Sequence, residues 1–145
     1  MTLDDNTSLT GGCLCGAVRY AITAEPMVVS HCHCRDCRRA TGAPFITWIT
    51  LPSDGFAFTS GKVAEFSSSP AVRRGFCGVC GTTLSYRNVG HPEEVDVAAA
   101  SLDDPARVEP QDHLMVASRL PWIHMADGLP ELDGNHWEHG YPTKD

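Results

Sequence analysis

The sequence has no long hydrophobic run and little positive charge. No apolar stretch approaches the roughly 20 residues that span a bilayer, and residues 1–10 have neither the basic start nor the apolar stretch of a secretory signal. Lys and Arg number 11 against 18 Asp and Glu, which gives a formal net charge of −7. This balance disfavours nucleic acid, which proteins bind through clustered positive charge. We therefore expect a cytoplasmic protein whose partners include no membrane and no nucleic acid.

Internal repeats, linkers and low-complexity tracts are also missing from the 145 residues. The hydrophobic fraction of 42% is that of a globular chain, and the length is enough for one core that needs no crosslinks. We predict a single domain over residues 1–145, with a core at about 9–130. The segment 121–145 is rich in Pro, Gly, Trp and His without periodicity, so we expect it to wrap the core irregularly.

Short segments of β character dominate the chain. Val18, Tyr20 and Ile22 alternate with other residues, which predicts a strand over 17–23 with one buried face. Arg35 to Thr41 alone predicts a helical turn, and Gly42 follows it as a C-terminal cap. A loop is expected at 67–70, and further strands at 27–30, 45–51, 62–66, 71–76, 82–86 and 95–99. These segments predict a mostly β fold.

The chain has seven cysteines, and this odd number rules out a fully paired disulfide framework within one chain. In a reducing compartment, clustered cysteines indicate metal binding or redox chemistry. They form three groups, namely Cys13 with Cys15, then Cys32, Cys34 and Cys37, then Cys77 with Cys80.

The spacing divides these cysteines into a set of four and a set of three. A structural zinc has four tetrahedral ligands, often supplied as two short pairs, and Cys13, Cys15, Cys77 and Cys80 provide such pairs. The remaining Cys32, Cys34 and Cys37 would leave a fourth position open, as at a catalytic zinc. The sequence therefore predicts two zinc ions per chain.

Other interpretations of the second set stay open. His31 could complete a closed site of three cysteines and one histidine, which would make both zinc ions structural. His33 lies between two ligands, so its side chain is expected to point away from the metal. A purely redox role for the C-x-x-C pairs is disfavoured because no βαβ pattern accompanies them.

Three thiolates around a zinc dication leave a net negative charge, which would discourage an incoming thiolate or carboxylate. Arg35, Arg38 and Arg39 lie beside Cys34 and Cys37 in the sequence. They form a solvated face, or they offset the anionic site and receive a substrate carboxylate.

Three cysteine motifs together carry a family resemblance: GGCLCGAVRY at 11–20, HCHCRDCRR at 31–39 and FCGVCGT at 76–82. TGAPF at 41–45, Trp122 and DGLP at 127–130 add to it. With these motifs the chain resembles the glutathione-dependent formaldehyde-activating enzyme family, the S-(hydroxymethyl)glutathione synthase-like proteins, which includes domains related to centromere protein V. The resemblance covers nearly the whole chain.

This resemblance implies a zinc-containing β-tent fold of coiled β-sheets with short helical turns, and carbon–sulfur lyase activity. It implies a structural zinc on Cys13, Cys15, Cys77 and Cys80 and a catalytic zinc on Cys32, Cys34 and Cys37. The partners would be a small thiol such as glutathione and a small aldehyde such as formaldehyde. The alternative is a non-catalytic, zinc-stabilised protein-binding module.

In the lyase hypothesis, a thiolate attacks the aldehyde carbonyl and the resulting alkoxide takes a proton from His31, His33 or water. Trp48 and Trp122 are expected in the core or in a pocket wall. No partner for His113 is predicted.

Overall fold

A computed structural model describes residues 8–143, and it places the strands of this range in two sheets. The smaller sheet has the order β1-β2-β5 and the larger sheet the order β10-β3-β4-β9-β8-β7-β6. All pairings are antiparallel except that of β10 with β3. The strands are β1 (Leu9–Gly12), β2 (Arg19–Ile22), β3 (Val28–Cys32), β4 (Ile46–Pro52), β5 (Phe56–Ser60), β6 (Val63–Ser69), β7 (Val72–Cys77), β8 (Thr83–Asn88), β9 (Glu94–Ala98) and β10 (Asp112–Leu114). The prediction of a mostly β fold is confirmed.

The main hydrophobic core lies between the two sheets. Tyr20 and Ile22 of β2 are almost completely buried, which confirms the alternation expected for this strand. From the larger sheet, β4 contributes Ile49 and Leu51, which pair directly with valines of β9. A strand that alternates in this way sends every second side chain to the opposite face. The opposite face of the larger sheet is therefore free to form a separate surface.

That opposite face carries a row of polar side chains fixed by strand register. Arg74 of β7 pairs with Tyr86 of β8, Tyr86 pairs with Asp96 of β9, and Asp96 pairs with Thr50 of β4. Residues directly opposite one another on neighbouring strands share a face of the sheet. Trp48 lies two residues before Thr50 and so belongs to this face as well.

One short helix, α1 (Arg35–Thr41), forms over the residues expected from the sequence. Its N-cap is Cys34, whose sulfur accepts a hydrogen bond from the Cys37 backbone N–H at 3.2 Å. It ends at Gly42, which has a φ of 69° and donates its N–H to the Arg38 carbonyl. A left-handed residue of this kind is the usual helix terminator, so the Gly42 cap is confirmed.

The structure departs from the sequence predictions in several places. Residues 67–69 belong to β6 instead of forming a loop: Ser69 pairs with Val72 of β7, and the register shifts between Phe66 and Ser69. Trp122 is 63% exposed and belongs to neither core nor pocket. The segment from residue 121 is irregular as expected, except for one helical turn, α2 (His136–His139). Strands β1, β5 and β10 were not expected.

The extent of the domain, residues 1–145 with a core at about 9–130, stays a prediction. Residues 1–7, which hold most of the segment considered for a secretory signal, lie outside the described range, as do residues 144–145. In the described part of the chain, the helices are too short and too polar for any of them to cross a membrane.

Candidate functional site

The first cysteine cluster joins the turn after β1 to the turn between β7 and β8. The four sulfurs of Cys13, Cys15, Cys77 and Cys80 lie within 4.8 Å of one another. The Cys13 and Cys15 sulfurs are 3.6 Å apart, and the Cys15 and Cys77 sulfurs 3.8 Å. Four sulfurs at about 2.3 Å from a tetrahedral zinc would be separated by about 3.8 Å. The donor set and its spacing therefore fit a closed four-thiolate metal site.

Hydrogen bonds favour ionised sulfur at two of these four cysteines, whereas the pKa of Cys15 is raised to about 11, chiefly by the neighbouring thiol of Cys13. Val18 donates its backbone N–H to the Cys13 sulfur at 3.2 Å, and this contact lowers the pKa of Cys13. The Thr82 hydroxyl and backbone lower the pKa of Cys80 to about 5. Metal ligation requires thiolate, so these donors prepare the sulfurs of Cys13 and Cys80 for a cation.

The second cluster, formed by Cys32, Cys34 and Cys37, lies where β3 passes into α1. Its three sulfurs also lie within 4.8 Å of one another, and no fourth metal-ligating atom of residues 8–143 joins them at that distance. Hydrogen bonds from the neighbouring thiols of Cys32 and Cys37 lower the pKa of Cys34. The three side chains line a pocket of about 200 Å³. This cluster can hold a metal ion and present one side of it to the pocket.

The floor of the pocket is the polar face of the larger sheet. Trp48, Thr50, Arg74, Tyr86 and Asp96 all line it. The indole N–H of Trp48 is buried and interacts with the Cys37 sulfur.

Arg74 is a cation in direct contact with one of these thiols. Its two terminal nitrogens lie 3.8 and 3.9 Å from the Cys37 sulfur, and its Nε donates to the Ser68 hydroxyl at 3.1 Å. The guanidinium also lies 5.2 Å from the centre of the Tyr86 ring. Only 7% of Arg74 is exposed, so its charge is weakly screened and offsets the charge of the thiolates.

The arginines singled out from the sequence do not fill this role. Arg35 is exposed and pairs with Asp36 at 3.2 Å, and Arg39 is also exposed. Neither they nor Arg38 belong to the pocket lining. They are close to the cysteines in sequence, but α1 turns them away from the pocket. The sequence of β7, VRRGFC, does not alternate and holds Arg73 beside Arg74, so no local signal singles out Arg74.

Asp96 supplies a titratable group to the same pocket. The Thr50 hydroxyl donates to its carboxylate at 2.6 Å. Burial raises the pKa of Asp96 to about 7, since the charged form has lost most of its hydration. A carboxyl group with this pKa can both accept and donate a proton near neutral pH. Sequence reasoning missed this residue, which lies between two core valines.

The C-terminal segment forms one wall of the pocket. The Trp137 indole N–H donates to Glu94 at 3.0 Å, and the Tyr141 hydroxyl donates to the other oxygen of the same carboxylate. His136 is buried, and its Nε2 lies 2.8 Å from a carboxylate oxygen of Asp112 in β10. These contacts hold residues 136–141 against β9 and β10 at the edge of the pocket.

The histidines near the second cluster are held on the other side of β3. Nδ1 of His31 lies 2.8 Å from the Thr47 hydroxyl, and Nε2 of His33 lies 2.9 Å from Nδ1 of His113. His33 points away from the cysteines as expected. His31 groups with His113 and Asp127 instead of with the three cysteines, so the hypothesis of His31 as their fourth ligand is wrong for this structure.

Comparisons with known proteins agree with this architecture. A crystal structure of a Rhodobacter sphaeroides protein superposes with a TM-score of 0.55 at 21% identity and covers 85% of this chain and 98% of that protein, which shows a shared fold. A Schizosaccharomyces pombe protein named only as an uncharacterised lyase is 33% identical over 84 residues, which are 57% of this chain and 61% of that protein.

A Halomonas elongata protein that carries the provisional name glutathione-dependent formaldehyde-activating enzyme is 31% identical over 128 residues. The alignment covers 81% of this chain and 80% of that relative. The family model described as glutathione-dependent formaldehyde-activating enzyme matches residues 8–118, a range that includes both cysteine clusters. The chain therefore belongs to the glutathione-dependent formaldehyde-activating enzyme family.

Proposed function

We propose that this protein is a zinc-dependent carbon–sulfur lyase that joins a small thiol to a small aldehyde and also catalyses the reverse reaction. Its cofactors would be a structural zinc on Cys13, Cys15, Cys77 and Cys80 and a catalytic zinc on Cys32, Cys34 and Cys37. The observation that carries the proposal is the three-sulfur cluster that opens into a pocket containing a buried arginine and a carboxyl group of raised pKa.

Glutathione and formaldehyde are the substrates that the family name suggests. A volume of about 200 Å³ lies below the roughly 300–1,000 Å³ of sites for drug-sized ligands. The pocket would therefore enclose the thiol end of glutathione together with the aldehyde, and the rest of the tripeptide would extend past its rim. The same pocket would also admit smaller thiols.

When bound to the three thiolates, zinc would lower the pKa of a substrate thiol and thereby favour its ionised form. The chain then has two tasks, to position the thiol and to move its proton. Arg74 offsets the negative charge next to Cys37, which lets the substrate thiolate approach as a fourth anionic sulfur. The carboxylate of Asp96 accepts the proton that leaves the thiol.

The remaining steps return this proton. The sulfur electron pair forms a bond to the aldehyde carbon, and the electrons of the C=O double bond move to oxygen. The protonated Asp96 then gives its proton to that oxygen, which yields a neutral hemithioacetal and regenerates the carboxylate. The net change is the addition of the S–H bond across the C=O bond, and the reverse order of steps releases the aldehyde.

The test is exchange NMR of glutathione and formaldehyde, which measures the rate at which S-hydroxymethylglutathione forms and breaks down. We expect the zinc-loaded protein to exceed the spontaneous rate, and Cys34→Ser to abolish the excess while retaining the zinc of the first cluster. Cysteine and cysteamine serve as smaller thiols in parallel samples. If no thiol and aldehyde pair reacts above the spontaneous rate, the lyase proposal fails and the zinc-stabilised binding module remains.

A further inference from the structure

A third group of metal-ligating side chains lies apart from both cysteine clusters. It combines His31 of β3, His113 of β10 and Asp127 of the C-terminal segment, and their ligand atoms all lie within 4.8 Å of one another. Nε2 of His113 is 2.8 Å from an Asp127 oxygen. Two imidazoles and one carboxylate are a common ligand set for divalent transition metals, with the remaining positions open to water.

Strand geometry separates this group from the second cysteine cluster. Adjacent residues of a strand point to opposite faces, so His31 and Cys32 lie on different sides of β3. His113 pairs in parallel register with His31, which brings the two rings to a centroid distance of 4.9 Å. An ion held here would not share ligands with an ion held by Cys32.

Each histidine has a second partner on the ring nitrogen that the metal would not use. The Thr47 hydroxyl lies 2.8 Å from Nδ1 of His31, and Nε2 of His33 lies 2.9 Å from Nδ1 of His113. If the Nδ1–H groups of His31 and His113 donate hydrogen bonds to these partners, the Nε2 atoms of both rings carry lone pairs that can bind a metal. Partners of this kind fix the tautomer and orientation of metal-bound histidines.

The position of His33 supports this interpretation. The residue is completely buried, and its Nδ1 has no hydrogen-bond partner within residues 8–143. An apolar side chain would fill the same space without an unpaired polar atom. What His33 supplies is therefore the hydrogen bond that orients His113.

The carboxylate is oriented and reachable from solvent. The backbone N–H of Leu129 donates to one oxygen of Asp127 at 3.1 Å, and the other oxygen faces His113. The Asp127 side chain is 30% exposed and His31 is half-buried, so an ion and its waters can enter. Without a metal, the same atoms form a hydrogen bond from His113 to Asp127.

From this geometry we propose a third metal site, in which Nε2 of His31, Nε2 of His113 and a carboxylate oxygen of Asp127 bind a divalent transition-metal ion such as Zn²⁺, Co²⁺ or Fe²⁺. Imidazole ligands disfavour Mg²⁺ and Ca²⁺, which prefer sites made entirely of oxygen. The ion would fasten the C-terminal segment to β3 and β10.

The experiment is a Co²⁺ titration of protein whose cysteine clusters have first been filled with zinc. We expect one further Co²⁺ per chain, with visible ligand-field absorption and without the near-ultraviolet charge-transfer band of cobalt thiolates. Metal analysis after gel filtration gives the stoichiometry. His31→Gln and Asp127→Asn should each lower the affinity for this Co²⁺ by at least about tenfold. Asp133→Asn, a surface change in the same segment, should leave the affinity unchanged.

Thr47→Val tests the site without removing a ligand. This variant should lower the affinity for Co²⁺ by about tenfold, because the Thr47 hydroxyl orients His31. Thr47→Ser keeps a hydroxyl and should bind Co²⁺ as tightly as the wild type. The proposal is wrong if no further Co²⁺ binds, if thiolate absorption appears, or if His31→Gln and Asp127→Asn bind Co²⁺ as well as the wild type. The last result would mean that the ion occupies an adventitious surface site.

Discussion

Among single residues, the buried Arg74 has the most direct effect on the charge of the second cysteine cluster. We expect Arg74→Met to weaken metal binding by Cys32, Cys34 and Cys37 by about 10- to 100-fold, since the guanidinium no longer offsets their charge. Competition with a chromophoric chelator measures this affinity. The affinity of the four-cysteine cluster should not change.

Arg73→Met is the matched control for Arg74→Met. Arg73 is the preceding residue of the same strand, and its guanidinium bonds to backbone carbonyls of its own hairpin. The charge removed is identical, but the side chain is not part of the pocket lining. Equal losses of affinity in the two variants would show that net charge alone is responsible and would contradict the role given to Arg74.

The buried carboxyl of Asp96 is expected to set the pH dependence of the lyase reaction. Its pKa of about 7 predicts that thiol addition gains rate as pH rises through neutrality, because the carboxylate form accepts the proton. Asp96→Asn should lower the rate and remove this inflection from the pH profile. The other charged or titratable groups that line the same pocket are Asp36, Arg74, Tyr86, Glu94, His136, Tyr141 and the thiols of Cys32, Cys34 and Cys37.

Asp96 also links stability to pH, and the sign is opposite to that of an ion-paired carboxylate. A raised folded-state pKa means that the folded protein holds this proton more tightly than the unfolded chain, so stability falls as pH rises from about 4 to about 7. Asp96→Asn has no titrating proton at this position. Relative to the wild type, its free energy of unfolding should therefore increase over this pH range, by at most about 4 kcal/mol. Thermal unfolding of both proteins along a pH series measures the difference. A constant difference between the two proteins would contradict the raised pKa.

At the scale of secondary structure elements, the C-terminal segment contacts β9 through one carboxylate, in addition to the contact of His136 with Asp112 of β10. Glu94 accepts hydrogen bonds from Trp137 and from Tyr141. We expect Glu94→Ala to release the segment 135–143, to raise KM and to change kcat less, because a wall of the pocket loosens while the thiols and Asp96 stay in place. Hydrogen exchange of this segment together with steady-state kinetics measures the effect.

The neighbouring Glu93 provides a control of the same size and charge. Glu93 is exposed and does not line the pocket. Its carboxylate lies 3.7 Å from Nδ1 of His91, whose ring stacks on Trp137, and Glu93→Ala keeps both of these rings. Glu93→Ala should leave both hydrogen exchange of the C-terminal segment and KM near their wild-type values. A Glu94→Ala protein with normal exchange in 135–143 would show that other contacts hold this wall.

The elements that could be predicted from the sequence are those with a strong local signal. β2 has alternating burial, α1 has the Gly42 cap, and the cysteine motifs have short, fixed spacings. Each of these signals lies within about ten consecutive residues. The strand β10 has no such signal, because it contains three residues and begins with a buried aspartate.

The residues that complete the pocket were not predicted for a related reason. Arg74 reaches Cys37 across 37 positions of sequence, and Thr50 reaches Asp96 across 46. Such contacts are set by strand register in the larger sheet, which a single sequence does not specify. Proximity in sequence to Cys34 and Cys37 therefore favoured the wrong arginines.

At the scale of the whole molecule, the four-cysteine cluster connects the two sheets. Cys13 and Cys15 follow β1 of the smaller sheet, whereas Cys77 and Cys80 belong to the β7–β8 turn of the larger sheet. The metal proposed for this cluster would fasten one sheet to the other across more than sixty residues. The metal proposed for Cys32, Cys34 and Cys37 would bind ligands that are close in sequence, and it would crosslink little.

Metal removal should therefore affect stability through the first cluster far more than through the second. We expect Cys15→Ser to lower Tm by about 10 °C or more, which corresponds to several kcal/mol for a chain of this length, and Cys34→Ser to lower it by much less. A strong chelator should lower the Tm of the wild type to that of Cys15→Ser. Hydrogen exchange should rise first in the segments 9–22 and 76–82, where the two sheets are joined. If Cys34→Ser lowered Tm as much as Cys15→Ser, the second cluster would also be structural, and its proposed catalytic role would lose its main support.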